Sequence, residues 1–132
     1  MALDVIKTDY VYVTYEEDNK LIKVKWLDKN TSEEYRDVIS QSLEFAKTHI
    51  VDYYLTDIRE QKVVSPEDRK WFTEEAMPKA IELGLKKACA IFDGNVFKKY
   101  YLNTILKTTN TFKLPFKFVN TEEEARSFLL DS

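Results

Sequence analysis

Two carboxylates stand where an α/β protein does its chemistry. Asp57 closes the run Asp52-Tyr53-Tyr54-Leu55-Thr56-Asp57, and Asp93 follows Lys87-Ala88-Cys89-Ala90-Ile91-Phe92. In open α/β sheets, ligands gather beyond the carboxyl ends of the strands. A pair of carboxylates there could hold Mg²⁺ or act as an acid/base couple. The plainer alternative, which we prefer, is that each ends its strand and accepts hydrogen bonds from loop amides. The single histidine, His49, falls near the end of a helical pattern, where an imidazole interacts with the helix dipole. No nucleophile is paired with it. The single cysteine, Cys89, sits in an apolar strand and reads as a core thiol. One histidine and one cysteine cannot supply a Cys/His zinc site, and two glycines leave no glycine-rich phosphate loop. No catalytic residue, metal ligand or cofactor is assigned.

The elements that would position these groups follow from periodicity. Tyr10-Val11-Tyr12-Val13-Thr14-Tyr15 is β-branched and aromatic, and Ile22, Val24 and Trp26 alternate with Lys23 and Lys25. Together they predict an antiparallel hairpin turning at 16–20. Thr31 and Glu34 have capping-box spacing ahead of an apolar stripe at Tyr35, Val38, Ile39, Ser42 and Ala46, which predicts a helix over 32–49. A strand at 52–57 comes next. Ser65-Pro66-Glu67-Asp68 then supplies an N-cap serine, a proline at the first helical position and acids in the first turn. Trp71, Phe72, Ala76, Ala80 and Leu83 form that helix's apolar face, and Gly84 ends it. Trp71 on this face is expected against the sheet, so that its truncation would cost roughly 3–5 kcal/mol. Pro78 predicts a kink near Ala76–Met77 or two shorter helices. A central strand at 87–92, a helix at 96–107 carrying Tyr100, a last strand at 116–119 and a short helix begun by Thr121 complete the order.

The order β-β-α-β-α-β-α-β-α predicts a single α/β domain over 1–132. Its five-stranded, mostly parallel sheet carries an antiparallel N-terminal strand and about four helices. Residues 1–9 read as a flexible N-terminal extension. The 132 residues suffice to bury a real core, and 44% hydrophobic with 33% charged residues reads as globular rather than disordered.

A net charge of −3 argues against nucleic acid as the main partner. Between Gly84 and Lys117, however, there are seven lysines and one acid. This reads as a solvated face. A patch for anions is the alternative, but the segment lacks the arginines that planar phosphate recognition prefers. No apolar run approaches a membrane span, and Met1-Ala2-Leu3-Asp4 does not begin a signal peptide. With one free cysteine, the expectation is a cytoplasmic protein without an integral membrane segment.

The chain resembles the STAS (anti-sigma-factor-antagonist) superfamily, and more closely small bacterial stand-alone STAS-like or CRAL-TRIO-like domains. The resemblance spans about 10–130. It is carried by the element order, by Leu55-Thr56-Asp57, by Ser65-Pro66-Glu67-Asp68-Arg69-Lys70-Trp71, by Lys87-Ala88-Cys89-Ala90-Ile91-Phe92 and by Phe118-Val119-Asn120-Thr121-Glu122-Glu123-Glu124-Ala125. It implies that Ser65 is a phosphoacceptor, since regulatory STAS domains carry such a serine at a helix start within an Asp-Ser-Ser-Gly-like run. This chain departs from that run: it reads Asp57-Ile58-Arg59-Glu60-Gln61-Lys62-Val63-Val64-Ser65 with Pro66 next. Ser65 as a plain N-cap is the competing reading.

The expected function is a non-catalytic STAS-like regulatory or protein-interaction module, binding a protein partner or itself. The alternative is a domain for an apolar or lipid-like small ligand. Binding candidates are Asp57, Ser65, Asp93, Trp71 and Tyr100. The aromatic helical residues among them would line either a pocket or an interface.

Overall fold

The computed structural model describes residues 2–62, 64–94 and 96–131, with only the backbone for 96–101. The chain is α/β, with six strands in spatial order β1-β2-β3-β4-β5-β6: Ala2–Lys7, Val11–Glu16, Leu21–Trp26, Tyr53–Asp57, Lys87–Ile91 and Phe116–Val119. The sheet is mixed. β1/β2 and β2/β3 are antiparallel, whereas β3, β4, β5 and β6 run parallel.

The described residues thus hold six strands where five were expected, because Ala2–Lys7, within the expected flexible extension, is strand β1. β1 pairs with β2 from Ala2↔Glu16 to Lys7↔Tyr12, with a register shift between Asp4 and Ile6. That irregularity explains the miss. It breaks the period-2 pattern by putting Asp4 and Lys7, three residues apart, on one face of the sheet. Thr8 closes the turn, its Oγ1 accepting from the Val11 and Tyr10 amides at 3.0 and 3.2 Å.

Helix α1 (Ser32–Thr48) starts with the predicted capping box, in which Thr31 and Glu34 each accept the other's backbone N–H. After β4 the chain forms α2 (Pro66–Trp71), a π-helical turn (Phe72–Ala76) and α3 (Met77–Glu82) in direct succession. The Met77 N–H donates to the Phe72 carbonyl, five residues back. Pro78 has no N–H for Glu74, and the helix widens by one residue just before it, leaving two short α-helices joined by the π-turn, one of the two outcomes expected from this proline. Gly84, at φ 114°, terminates α3, and the Leu85 N–H donates to the Ala80 carbonyl at 3.1 Å. Helices α4 (Val96–Thr111) and α5 (Glu122–Leu130) follow β5 and β6.

Each step from β3 to β6 is to the adjacent strand in the same direction, so the connecting helices share one face. Tyr35, Val38 and Ile39 of α1, Ala76 and Met77 of the interrupted helix, and Leu102 and Ile105 of α4 join Val13, Val24 and Trp26 there in the larger core. α5 covers the other face alone, placing Ala125 and Leu129 on Leu55, Cys89, Ile91 and Val119. An ion cluster fixes α5: Lys23 Nζ lies 2.6 Å from Glu122, and Arg126 bridges Glu122 and Glu16. No described helix is long and apolar enough to cross a membrane.

Candidate functional site

The carboxyl ends of β3, β4, β5 and β6 and the starts of α1, α2 and α5 share one edge of the sheet. Asp57 ends β4 there, directly across the register from Lys25. It is buried, and it accepts from Arg59 three times: Nε to Oδ1 at 3.0 Å, Nη2 to Oδ2 at 2.7 Å, and the backbone N–H at 3.2 Å. Burial opposes ionisation of this carboxyl, but the Arg59 bonds and the Lys25 charge outweigh it and hold the group below the usual aspartate range. Asp57 is thus an ion-paired carboxylate with both oxygens engaged by Arg59. Asp93 is exposed beyond β5. Among the described residues, no group of three or more His, Cys, Asp or Glu side chains is arranged to hold a metal ion.

Ser65 is the N-cap of α2, its Oγ accepting from the Asp68 N–H at 3.2 Å. Asp68 is the centre of a cluster absent from the sequence reading. It is 3% exposed, accepts from Ser32 Oγ at 2.8 Å and Arg36 Nε at 2.7 Å, and so ties the first turns of α1 and α2 together. Burial would raise its pKa, yet Arg36, Ser32 and Ser65 bring it down. Only the adjacency of α1 and α2, which no local pattern encodes, brings these residues within reach.

Trp71 departs from expectation. It is half-buried and packs on α1 rather than squarely on the sheet. Tyr35 meets its ring edge-on at 6.5 Å, and the Arg36 guanidinium lies over it at 5.2 Å. Trp26 fills the core instead, stacked on Tyr35 at 5.4 Å. Tyr100 lies on α4, and its side chain is outside the described residues.

Beside Trp71 an open groove of about 340 Å³ runs between α1 and the π-turn. Leu43, Trp71 and Ala76 form its apolar surface, and Ser40, Glu44, Glu75 and Lys79 its polar rim. Two small cavities lie between the helices and the sheet, the larger of them sharing Leu43 and Ala76 with the groove. One, of about 70 Å³, is almost wholly apolar and includes Leu43, Tyr54, Phe72 and Ala76 in its walls. The other, of about 30 Å³, is lined by Thr56, Gln61, Tyr54 and Phe72 among others. Of the two ends of the π-turn, Phe72 borders both cavities, and Ala76 borders the larger cavity and the groove. Such turns are frequent at functional sites. Pro78 hinted at this irregularity in the sequence, but not at the groove it opens.

Cys89 is fully buried, and burial pushes its thiol up to about 11. His49 caps α1, with its ring stacked on Phe45 at 3.9 Å and Nδ1 3.2 Å from the Phe45 carbonyl. Compared with known proteins, the chain matches no family model, no curated protein and no solved structure at a significant level.

Proposed function

We propose that this chain is a non-catalytic regulatory or protein-interaction module of STAS-like type. Its recognition surface is the groove between α1 and the π-turn. The observation that carries the reading is the contrast between the sheet edge and the groove. At the edge, Asp57 and Asp68 are buried and ion-paired, their basicity is lowered, and their oxygens are engaged by Arg59 in one case and by Arg36 and Ser32 in the other, which makes them poor acid/base groups. The groove, by comparison, sets the apolar Leu43 and Trp71 among Ser40, Glu44, Glu75 and Lys79, a mixed surface of the kind that receives an amphipathic segment of a protein. The lipid alternative would need an enclosed volume of several hundred Å³, and the two cavities between the helices and the sheet measure about 70 and 30 Å³. Ser65 enters this reading as a helix cap, with the Asp68 amide on its oxygen.

Native mass spectrometry of the protein isolated at low salt from the cells that make it tests the reading. The expected spectrum contains a discrete assembly with a second polypeptide, either another copy or a different protein. A bare monomer throughout would overturn it.

A further inference from the structure

The groove between α1 and the π-turn holds one charge of each sign without a partner. Its Glu44 is ion-paired with Lys47 at 2.7 Å. Glu75 and Lys79, both exposed, have no ion-pair or side-chain hydrogen-bond partner among the described residues. They stand on either side of Met77, on the face of the interrupted helix that borders the groove.

A surface that binds its own copy about a two-fold axis must carry both members of each contact, because residue i meets residue j while j meets i. Glu75 and Lys79 are such a pair. Where two of these helices cross antiparallel at the level of Met77, Glu75 of one copy faces Lys79 of the other, and the contact occurs twice. The net charge of −3 makes two copies repel overall, so they approach best where opposite charges can meet.

The same axis fixes where Trp71 goes. Along the helix it is as many residues before Met77 as Leu83 is after it, so its exposed part meets the Leu83 end of the second copy. That end carries an open depression of about 300 Å³, with Ala46, Ile50, Val51 and Leu83 as its apolar border. Ile50 is 63% exposed, more than any other large hydrophobic side chain described. A half-buried tryptophan is the residue type that anchors interfaces by filling such depressions. One axis thus serves two separate features, the unpaired charges and the tryptophan with its receiving surface.

We propose that the groove binds a second copy of this chain, in a two-fold dimer that pairs Glu75 with Lys79 of the other copy and seats Trp71 in the depression beside its Leu83. This rests on the groove being the recognition surface and specifies its occupant.

Sedimentation equilibrium of the whole protein at low salt tests the proposal, comparing the native chain with Glu75→Lys, Lys79→Glu and the double exchange. The native chain should be a dimer, and raised salt should weaken it. Each single exchange sets like charges together twice per dimer and should weaken dimerisation about tenfold. The double exchange restores opposite charges and should return the affinity to within about threefold of native. A native chain that stays monomeric up to its solubility limit would overturn the proposal. So would a dimer that strengthens with salt, that is indifferent to the single exchanges, or that the double exchange does not restore. The salt series needs no variant and stands even if one folds poorly. A monomer that still crosslinks to a different protein from Ser40 refutes only the second copy and leaves the groove as recognition surface, whereas a monomer that crosslinks to nothing there ends both.

Discussion

Arg36 Nε donates to Asp68 Oδ1 at 2.7 Å, joining the first turn of α2 to the second turn of α1 while the same guanidinium covers Trp71. One arginine therefore satisfies a buried carboxylate and covers the Trp71 ring. The carboxylate's other side-chain donor, Ser32, also comes from α1. Removing the carboxylate in Asp68→Ala loses two hydrogen bonds across helices and should destabilise the fold by about 2–3 kcal/mol. Ser65→Ala removes only the cap on the Asp68 amide and should cost about 1 kcal/mol. Urea midpoints at unchanged slope measure both, and the order of the two variants is the check.

Acidification should weaken the protein through four carboxyls. Glu16, Asp57, Asp68 and Glu122 all titrate below their ordinary values in the fold, each through bonds to arginine, with Lys23 also on Glu122. A carboxyl with a lowered native pKa binds its proton more readily in the unfolded chain. Its stabilisation is complete above about pH 5, where both states are ionised, and is lost as pH falls through the ordinary carboxyl range toward the native values. Urea midpoints should be flat from pH 7 to pH 5 and then decline. Arg126→Gln, which takes the main partner from Glu16 and one partner from Glu122, should make that decline shallower.

The two tryptophans should behave differently. Trp26 is 1% exposed and stacked in the core, so Trp26→Ala should cost roughly 3–5 kcal/mol. Trp71 is half-buried between Tyr35 and Arg36. Trp71→Ala should therefore cost about 1–3 kcal/mol, chiefly lost packing and the cation–π contact. Equal midpoints for the two variants would contradict this assignment of core and groove.

Much of the fold is legible in local pattern. The Thr31/Glu34 box, Ser65-Pro66 and the alternation from Ile22 to Trp26 each specify an element within a few residues, and each forms where it was expected. β1 was hidden because its register shift destroys the alternation by which a strand is recognised. The orientation of Trp71 was hidden because Trp71 and Phe72 are neighbours on a helix, roughly 100° apart, and the wheel alone does not say which of them meets the sheet. Phe72 lines both cavities on the sheet, while Trp71 faces α1 and the groove. The candidate site was only half visible. Asp57 has its partner two residues away in Arg59, but Asp68 needs Ser32 and Arg36 from across the fold.

The central claim is that the groove between α1 and the π-turn is the surface this protein uses. Site-specific photo-crosslinking in living cells tests it most directly, with a benzophenone side chain placed at Ser40 or Glu75 on the groove rim, or at exposed Glu123 on α5 across the sheet. The account predicts one discrete protein adduct, the same from Ser40 and Glu75 and absent from Glu123. Adducts from Glu123 but not from the two groove positions, or none from any of the three, would contradict it.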